Sequence, residues 1–366
     1  MNLHRGTYLN SDGNRITLER FSELLLNGPI MNETIKEDKV DSESKILTWF
    51  PYGPSSGGMV ESVYFDILTS GEKINRLRYD STYKNRTVKM KGLTPREGLL
   101  RFERLNGVHS ASYSSLFCDT CERAASLDIP WEVKNARVAM MEIERIGSHL
   151  FVASRLTGAA SQNIAHMNIL LLRENLLRLI ADRFGHRYFF GMNRPGGLSR
   201  NVQLEGMDSE IEKISEEYEE IFNTLMDSRI FIDRIDRTAI VEKENCSGPV
   251  MRGCGTALDA RQSHPYYKNL NFKCVDWDTG DSLSRFIVRS EEISESAKLI
   301  KQILPKVSRV SESEKNFPIL NDNIAGGYVE TPSGDSSIIL KFKNNRISEV
   351  GFSTPSQNNL ETFSKS

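Results

Sequence analysis

Long apolar runs are missing from this sequence. Its longest purely aliphatic stretch is Ile169 to Leu172, far short of the ~20 residues that a bilayer-crossing helix needs. An excess of either charge is missing too. The 47 basic and 49 acidic side chains leave a formal net charge of −2, which gives no electrostatic case for nucleic acid or an anionic membrane as the main partner. The opening MNLHRGTYLNSDG has no apolar h-region, so no secretory signal is expected and the chain reads as cytoplasmic. Cysteine is scarce: Cys118, Cys121, Cys246, Cys254 and Cys274 are all there are. An odd, sparse set argues for reduced thiols over a disulfide framework. The histidines His4, His109, His149, His166, His186 and His264 form no HxxxH or HxH pair, which excludes a zincin-like site. There is no P-loop and no GxSxG elbow, and Arg252-Gly253-Cys254-Gly255 lacks the third glycine of a dinucleotide fingerprint.

What is there divides the 366 residues into four stretches. Residues 1–45 form a polar N-terminal extension with one amphipathic stretch, Ile16 to Leu26, closed by Asn27-Gly28. Residues 46–92 are rich in strand formers on either side of Ser70-Gly71 and predict a β-hairpin subdomain. Thr94-Pro95 then supplies an N-cap and a first-turn proline. A helical core over 93–310 follows, with helices predicted at about 95–105, 110–127, 132–158, 163–184, 207–235 and 290–304. Residues 311–366 read as a C-terminal segment containing strands. The fold class expected is α+β, mainly α.

The helix at 132–158 carries the most informative pattern. At about 100° per residue, Glu142, Arg145 and His149 share one face in apolar company. Arg137, Glu144, Ser148 and Arg155 lie opposite and are expected to form the solvent face. Buried charges need partners, so the Glu142 stripe is either an internal ion pair pinning helices together or the lining of a polar cavity or proton route. Cys118-Asp-Thr-Cys121 is a CxxC inside a predicted helix, and without a second ligand pair it reads as buried thiols with no metal. Arg194-Pro195-Gly196-Gly197 is a turn whose glycines supply positive φ, or a place where backbone approaches a cofactor or a neighbouring subunit. Asp259, Arg261 and His264 share an irregular loop, where polar residues are ordinarily exposed.

Taken in order, PYGPSSGGMVESVYFDILTSGEKI, GLLRFERLNGVHSASYSSLFCDTCERAASLDIPWEVKNARVAMMEIERIGSHL, LLREN, GHRYFFGMNRPGG and SGPVMRGCGTALDARQSHPYY resemble the large subunit of energy-converting, membrane-bound nickel–iron hydrogenases. The D-type subunit of NADH:quinone oxidoreductase (complex I) belongs to the same family. The resemblance runs collinearly from about residue 50 to the C-terminal region. It implies a mostly helical core with β pieces at both ends, docked on an iron–sulfur small subunit and held at the cytoplasmic surface of a membrane arm through partners. Quinone and NAD are the molecules the family resemblance brings with it.

The departures from the family pattern fall on its ligands. Of the first hydrogenase CxxC the glycine corresponds to Gly107, but the cysteine positions hold Asn106 and His109, and no cysteine follows Cys274. Amide and imidazole cannot replace the soft thiolates of a nickel–iron centre, so hydrogenase chemistry is not expected. The two histidine positions of complex I fall on Ser56 and Val60, and the quinone-binding tyrosine falls on Gly107; neither valine nor glycine offers a side-chain donor. The histidine near the terminal cluster corresponds to Phe189, and a hairpin histidine to Asn85, beside Arg86. Retained are Glu61, Phe65, Glu122, Glu142, Arg145, His149, Arg173-Glu174, the Arg194 to Gly197 turn, and Asp259 with Arg261.

The resemblance therefore implies a candidate cavity at Ser56, Val60, Glu61, Asn106, Gly107, His109, Glu142, Arg145, His149, Asp259 and Arg261. It implies a subunit-docking or cluster-facing surface at Asn85, Arg86, Arg187, Phe189, Arg194, Gly196 and Gly197. Three readings stand. The chain is a core subunit of a hydrogenase-like or complex-I-like oxidoreductase, with a quinone or other acceptor beside a partner's iron–sulfur cluster and no cofactor held by the chain itself. Alternatively it is a non-catalytic scaffold that has lost both chemistries. The third reading is an independent enzyme with a hard-ligand metal at His109 or His149.

Overall fold

The computed structural model describes residues 7–9, 15–17, 47–54, 63–71, 73–80, 88–241, 246–307, 309–313 and 317–363. Three short stretches open the chain: β1 (Thr7–Leu9), β2 (Arg15–Thr17) and β3 (Thr48–Tyr52). β4 (Tyr64–Ser70) and β5 (Lys73–Asp80) form the hairpin expected around Ser70-Gly71, with Gly71 at φ +63°, and β3 joins the far edge of β4 as a third antiparallel strand. Every residue of β3 is exposed.

The helical region begins at α1 (Pro95–Phe102). Thr94 and Glu97 cap each other there in a capping box, as Thr94-Pro95 predicted. A 3-10 turn at Gly107–His109 leads into α2 (Ser110–Ala124), followed by α3 (Trp131–Ala159) and α4 (Asn163–Phe184). Short pairings follow: β6 (Asn193–Arg194) with β7 (Gly197–Leu198), and β8 (Val202–Gln203) with the later β9 (Arg309–Val310). The helix expected over 207–235 is two, α5 (Met207–Met226) and α6 (Arg229–Ile235), because the Ser228 hydroxyl caps a new start by accepting from the Phe231 N–H. A four-residue helix α7 (Pro249–Arg252) precedes α8 (Ser282–Ile303). α8 starts eight residues earlier than expected, because the Asp281 side chain accepts from the Ser284 N–H and supplies the N-cap.

Three long strands, β10 (Ile324–Thr331), β11 (Gly334–Lys343) and β12 (Arg346–Ser353), precede α9 (Pro355–Phe363). β11 and β12 are joined across Asn344-Asn345, both at positive φ, the signature of a type I′ hairpin turn. The sheet order is β10-β11-β12-β1-β2, so strands from the first seventeen residues complete a sheet built by the last fifty. One face of this sheet packs on α2. At Gly327 of β10 an added Cβ would lie 2.4 Å from Thr120 Oγ1, so the close approach of strand to helix requires glycine there.

α3 runs through the centre of the core, against α2, α4 and α8. Along it Val138, Ala139, Met140, Ile143, Ile146 and Leu150 are fully buried, and so are Arg137, Glu142, Arg145 and His149. The expectation of a solvent face at Arg137, Glu144 and Ser148 is overturned, since all three are buried and only Arg155 of that set is exposed. An amphipathic reading assumes one wet side, whereas α3 is enclosed all round over residues 136–150, and both polar stripes have built partners there.

Candidate functional site

Two of the three polar systems on α3 are structural locks. On one side the Arg137 guanidinium donates to both Glu122 oxygens at 2.8 and 2.7 Å, and its Nη2 also donates to the carbonyls of Arg194 and Gly197. Glu122 in turn accepts from the Gly196 N–H at 2.8 Å. The Arg194 to Gly197 segment is thus a tight hairpin turn with proline second and glycine third, Gly196 at φ +87°. A buried ion pair holds it from beneath. Nearby, Glu144 accepts from the Ala111 and Ser112 N–H groups at 2.6 and 3.0 Å and from the Ser112 hydroxyl. It caps α2 from outside the helix, where no local side chain does so. Burial raises its carboxyl to about 7, against the pull of those donors.

The third system is centred on the Glu142 stripe. Glu142 accepts from the Tyr267 hydroxyl at 2.6 Å, the Ser296 hydroxyl at 2.7 Å, Arg261 at 3.1 Å and Arg145 at 3.3 Å. Arg261 lies over the Phe272 ring and makes a two-pronged pair with Asp259, at 3.0 and 2.7 Å. Arg252 meets Glu292, Asp259 and Glu330 at 2.7, 3.1 and 2.8 Å. Arg145 donates to the carbonyls of Glu330 and Thr331, so strand β10 is part of the same system. Burial opposes every charge here, yet Arg261 and Arg252 hold the Asp259 carboxyl at about 2. Burial and the nearby Asp259 charge raise Glu330 to about 7. The loop carrying Asp259, Arg261 and His264 is buried at all three side chains, contrary to its expected exposure. Partners on α3, α8 and β10 offset the desolvation.

His149 closes the system. Its Nε2 lies 2.8 Å from Glu292, and its Nδ1 lies 3.1 Å from Arg289 Nη1. Arginine only donates, so Nδ1 accepts and Nε2 carries the proton. Burial lowers this imidazole to about 4, so it is neutral and donates to Glu292. Arg289 also donates to the Pro332 carbonyl, and Ser333 in the same turn lies 3.4 Å from His109 Nε2. The turn between β10 and β11 therefore bridges the buried network to the 3-10 turn at Gly107–His109.

In that corner Asn106 Oδ1 accepts from the Val108 N–H, which leaves its Nδ2 to approach His109 Nδ1 at 3.4 Å. An amide nitrogen is a donor, so the His109 proton sits on Nε2, facing Ser333. Burial, with the nearby Arg289, Arg145 and His149, lowers His109 to about 3. It is a neutral imidazole with one weakly used N–H. Gly107 contributes no side chain and stands beside the Phe190 ring.

Of the candidate cavity residues, then, Glu142, Arg145, His149, Asp259 and Arg261 form one hydrogen-bonded system, and Asn106, Gly107 and His109 form a corner joined to it through Ser333. Ser56, Val60 and Glu61 lie outside the described residues, as do Asn85 and Arg86 of the docking set. Arg187 is at the surface, paired with Glu174 through both nitrogens. Phe189 is 2% exposed and packs edge-on to Phe184, so its ring belongs to the core and offers no docking surface. Arg252, Arg289, Glu292, Ser296 and Glu330 join the site without being expected from the sequence. Arg285, Arg289, Glu292 and Ser296 recur at helical spacing on α8, the same kind of polar stripe that marked Glu142 on α3.

Cys118 and Cys121 are fully buried free thiols, both pushed well above the usual thiol value by burial. Among the described residues no group of three His, Cys, Asp or Glu side chains is placed to hold a metal ion. No described helix is long and apolar enough to cross a membrane.

This arrangement, a helical core whose central helix carries a buried arginine–carboxylate system and a C-terminal sheet packed on α2, is the architecture of a large, 49 kDa-type respiratory subunit. A chain from the membrane-bound sulfane sulfur reductase (MBS), an archaeal respiratory membrane complex, has the same fold, with a TM-score of 0.77 over 87% of this chain and 92% of that one at 18% identity. The family described as respiratory-chain NADH dehydrogenase, 49 Kd subunit, matches residues 158–358, more than half the sequence, and the chain belongs to it. Among curated relatives, the D-type subunit of NADH-quinone oxidoreductase from Protochlamydia amoebophila is 28% identical over 56% of this chain and 54% of that one. The C/D-type subunit of NADH-quinone oxidoreductase from Bacteroides thetaiotaomicron is 25% identical over 91% of this chain and 65% of that one. The chain thus spans between half and two thirds of the length of these relatives.

Proposed function

We propose that this chain is a core subunit of a membrane-associated respiratory oxidoreductase, in which an electron acceptor is reduced beside an iron–sulfur cluster held by a partner subunit. The observation that carries the reading is the His109 corner. A neutral imidazole presents its Nε2–H at a motif position where hydrogenase relatives are expected to place a metal ligand, and it is backed through Ser333, Arg289 and His149 by the buried charge network. A quinone-type acceptor needs a hydrogen-bond donor for a carbonyl oxygen, and His109 Nε2–H fits that need. Among the described residues its partner is the Ser333 hydroxyl at 3.4 Å, a long contact that an acceptor oxygen can replace. When bound, such an acceptor supplies the two-electron redox chemistry. The chain's own contribution is to orient it, to exclude water, and to hold a proton at His109 Nε2. The network around Glu142, Arg145, Asp259 and Arg261 fixes the corner and sets its potential. Attachment to the membrane comes through partner subunits.

The test is purification of the native assembly from its source, with co-purifying subunits identified and iron, acid-labile sulfide and quinone measured. An iron–sulfur partner, and acceptor reduction that falls at least tenfold in His109→Ala while Asn271→Ala leaves it unchanged, are the expected results. A stable assembly with partners and no redox activity assigns the chain to a scaffold role instead. Recovery as an active, isolated monomer refutes both.

A further inference from the structure

α2 begins without a cap of its own. His109 is its N-cap residue, at φ −125° and ψ 30°, and no local side chain bonds to its first N–H groups. The N–H groups of Ala111 and Ser112 go instead to the two Glu144 oxygens, at 2.6 and 3.0 Å, and the Ser112 hydroxyl adds a third bond at 2.5 Å. Only Ser110 separates the clamped Ala111 from His109, so this carboxyl fixes the backbone on which the imidazole stands. No cation pairs with Glu144 among the described residues: Arg173 of α4 lies over the Phe151 ring and donates to the Gly147 carbonyl, and Arg187 is taken by Glu174. Beside the carboxyl lies a cavity of about 20 Å³ lined by Val108, Ser110, Glu144, Arg173, Arg187 and Tyr188, among others. One water needs about 10–15 Å³. The Ser110 hydroxyl is fully buried and has no hydrogen-bond partner among the described residues.

We propose that Glu144 is a positioning residue for His109, a two-state clamp on the start of α2 that tightens when its carboxyl is ionised and relaxes when it is protonated. The inference rests on the acceptor reading of the His109 corner. Ionised, Glu144 accepts from all three donors and stands at the favourable, N-terminal end of the α2 dipole. Neutral, it keeps one strong acceptor oxygen and gains an O–H that needs an acceptor of its own. Ser110 supplies that acceptor through one water in the cavity, so a proton on Glu144 is felt at the residue bonded to His109. The cavity reaches solvent at Arg187, an exposed side chain, and gives the proton its way in. The charged and titratable groups facing Glu144 are few: Arg145 on α3, Arg173 on α4, and Arg187 and Tyr188 in the loop that follows. Burial outweighs the three donors and Arg145, and the carboxyl stands at about 7, so the clamp changes state near neutral pH. Above that pH the His109 Nε2–H is held for the acceptor, and below it the hold slackens.

The test follows the full chain, carrying isotope-labelled histidine, by NMR and infrared spectroscopy from about pH 5.5 to about pH 8.5. His109→Gln identifies the His109 signal. That imidazole stays neutral over the whole range, with its own value at about 3, so its signal moves only if the clamp moves it. The expected result is an inflection of the His109 ring signal near pH 7, matched by loss of the carbonyl band of a buried carboxylic acid as pH rises. Both vanish in Glu144→Gln. In Ser110→Ala, where the neutral form loses its acceptor, both shift to lower pH. A flat His109 signal while the infrared band titrates would show that the carboxyl changes charge without reaching the corner, and would overturn the proposal. So would the absence of a titrating band, an inflection that survives in Glu144→Gln, or a midpoint unmoved in Ser110→Ala. If Glu144→Gln does not fold, the wild-type and Ser110→Ala titrations decide the matter alone. None of these readouts uses electron transfer, so an assembly that shows the coupling and reduces no acceptor refutes the acceptor reading alone.

Discussion

Replacing Glu292 by Gln tests whether the buried network is built as one unit. Glu292 accepts from Arg252 Nε and from His149, each at 2.8 Å; it lies 2.7 Å from Arg252 Nη2 as an ion pair, and it stands 4.0 Å from both Arg145 and Arg261. Glutamine keeps the shape and removes the charge, leaving Arg252 to rely on Asp259 and on Glu330. Removing one partner of a buried pair costs about 3–5 kcal/mol, because the remaining charge stays desolvated. With 366 residues unfolding at about 2.1 cal/mol/K each, the unfolding entropy is ~0.77 kcal/mol/K and the midpoint falls by about 4–7 °C. Differential scanning calorimetry of Glu292→Gln reads this directly. The control is Glu212→Gln, which removes the exposed partner of Lys301 and is expected to leave the midpoint unchanged. The His149 imidazole should also move further below its value of about 4, because Glu292 is what pulls it upward. A midpoint within about 1 °C of wild type, matching the control, would refute the reasoning and show that the network's charges are satisfied independently.

Arg137→Met strands the Glu122 carboxylate and frees the Arg194 to Gly197 turn. Amide hydrogen exchange at residues 193–198 is expected to accelerate by at least tenfold, with a stability loss of about 3–5 kcal/mol in urea titration. His109 is neutral when folded, with a value of about 3 against an ordinary 6.5. The unfolded chain therefore takes up that proton first as pH falls, and stability is lost from about pH 6.5 downward. Relative to wild type, His109→Gln should gain about 1.5 kcal/mol between about pH 6.5 and about pH 5. No such gain in urea titrations at the two pH values would mean that His109 is protonated in the native state. Gly248→Ala places a Cβ 2.4 Å from Gly334 Cα and 2.5 Å from the Ser333 carbonyl, at φ +63°. It should displace the turn behind His109 and lower stability by at least ~2 kcal/mol, whereas Gly71→Ala, with open space around it, is expected to cost less.

Much of the fold is legible because local signals set it. Thr94-Pro95 with Glu97 starts α1 where the capping pattern says, and the strand formers around Ser70-Gly71 make their hairpin. The Asp227–Ser228 break and the early start of α8 at Asp281 are not legible in the same way. Single serine and aspartate caps inside otherwise continuous helical patterns carry little weight until the hydrogen bond is seen. The pairing of β1 with β12 joins residues more than three hundred positions apart, and nothing local encodes it.

What the sequence determined by itself was the set of groups that cannot be left alone. Glu142, Arg145 and His149 fall on one face of a helix whose remaining positions are largely apolar, and helical geometry makes that unavoidable. The ordered motifs likewise tie the chain to its family. Only the tertiary structure decided which partners answer those charges. Arg252, Glu292 and Glu330 come from three distant segments, and their pairing depends on how α7, α8 and β10 meet. The same enclosure reversed the expected solvent face at Arg137 and Glu144. Periodicity reports which side chains share a face, but burial depends on what packs against that face, and over residues 136–150 of α3 something packs on every side.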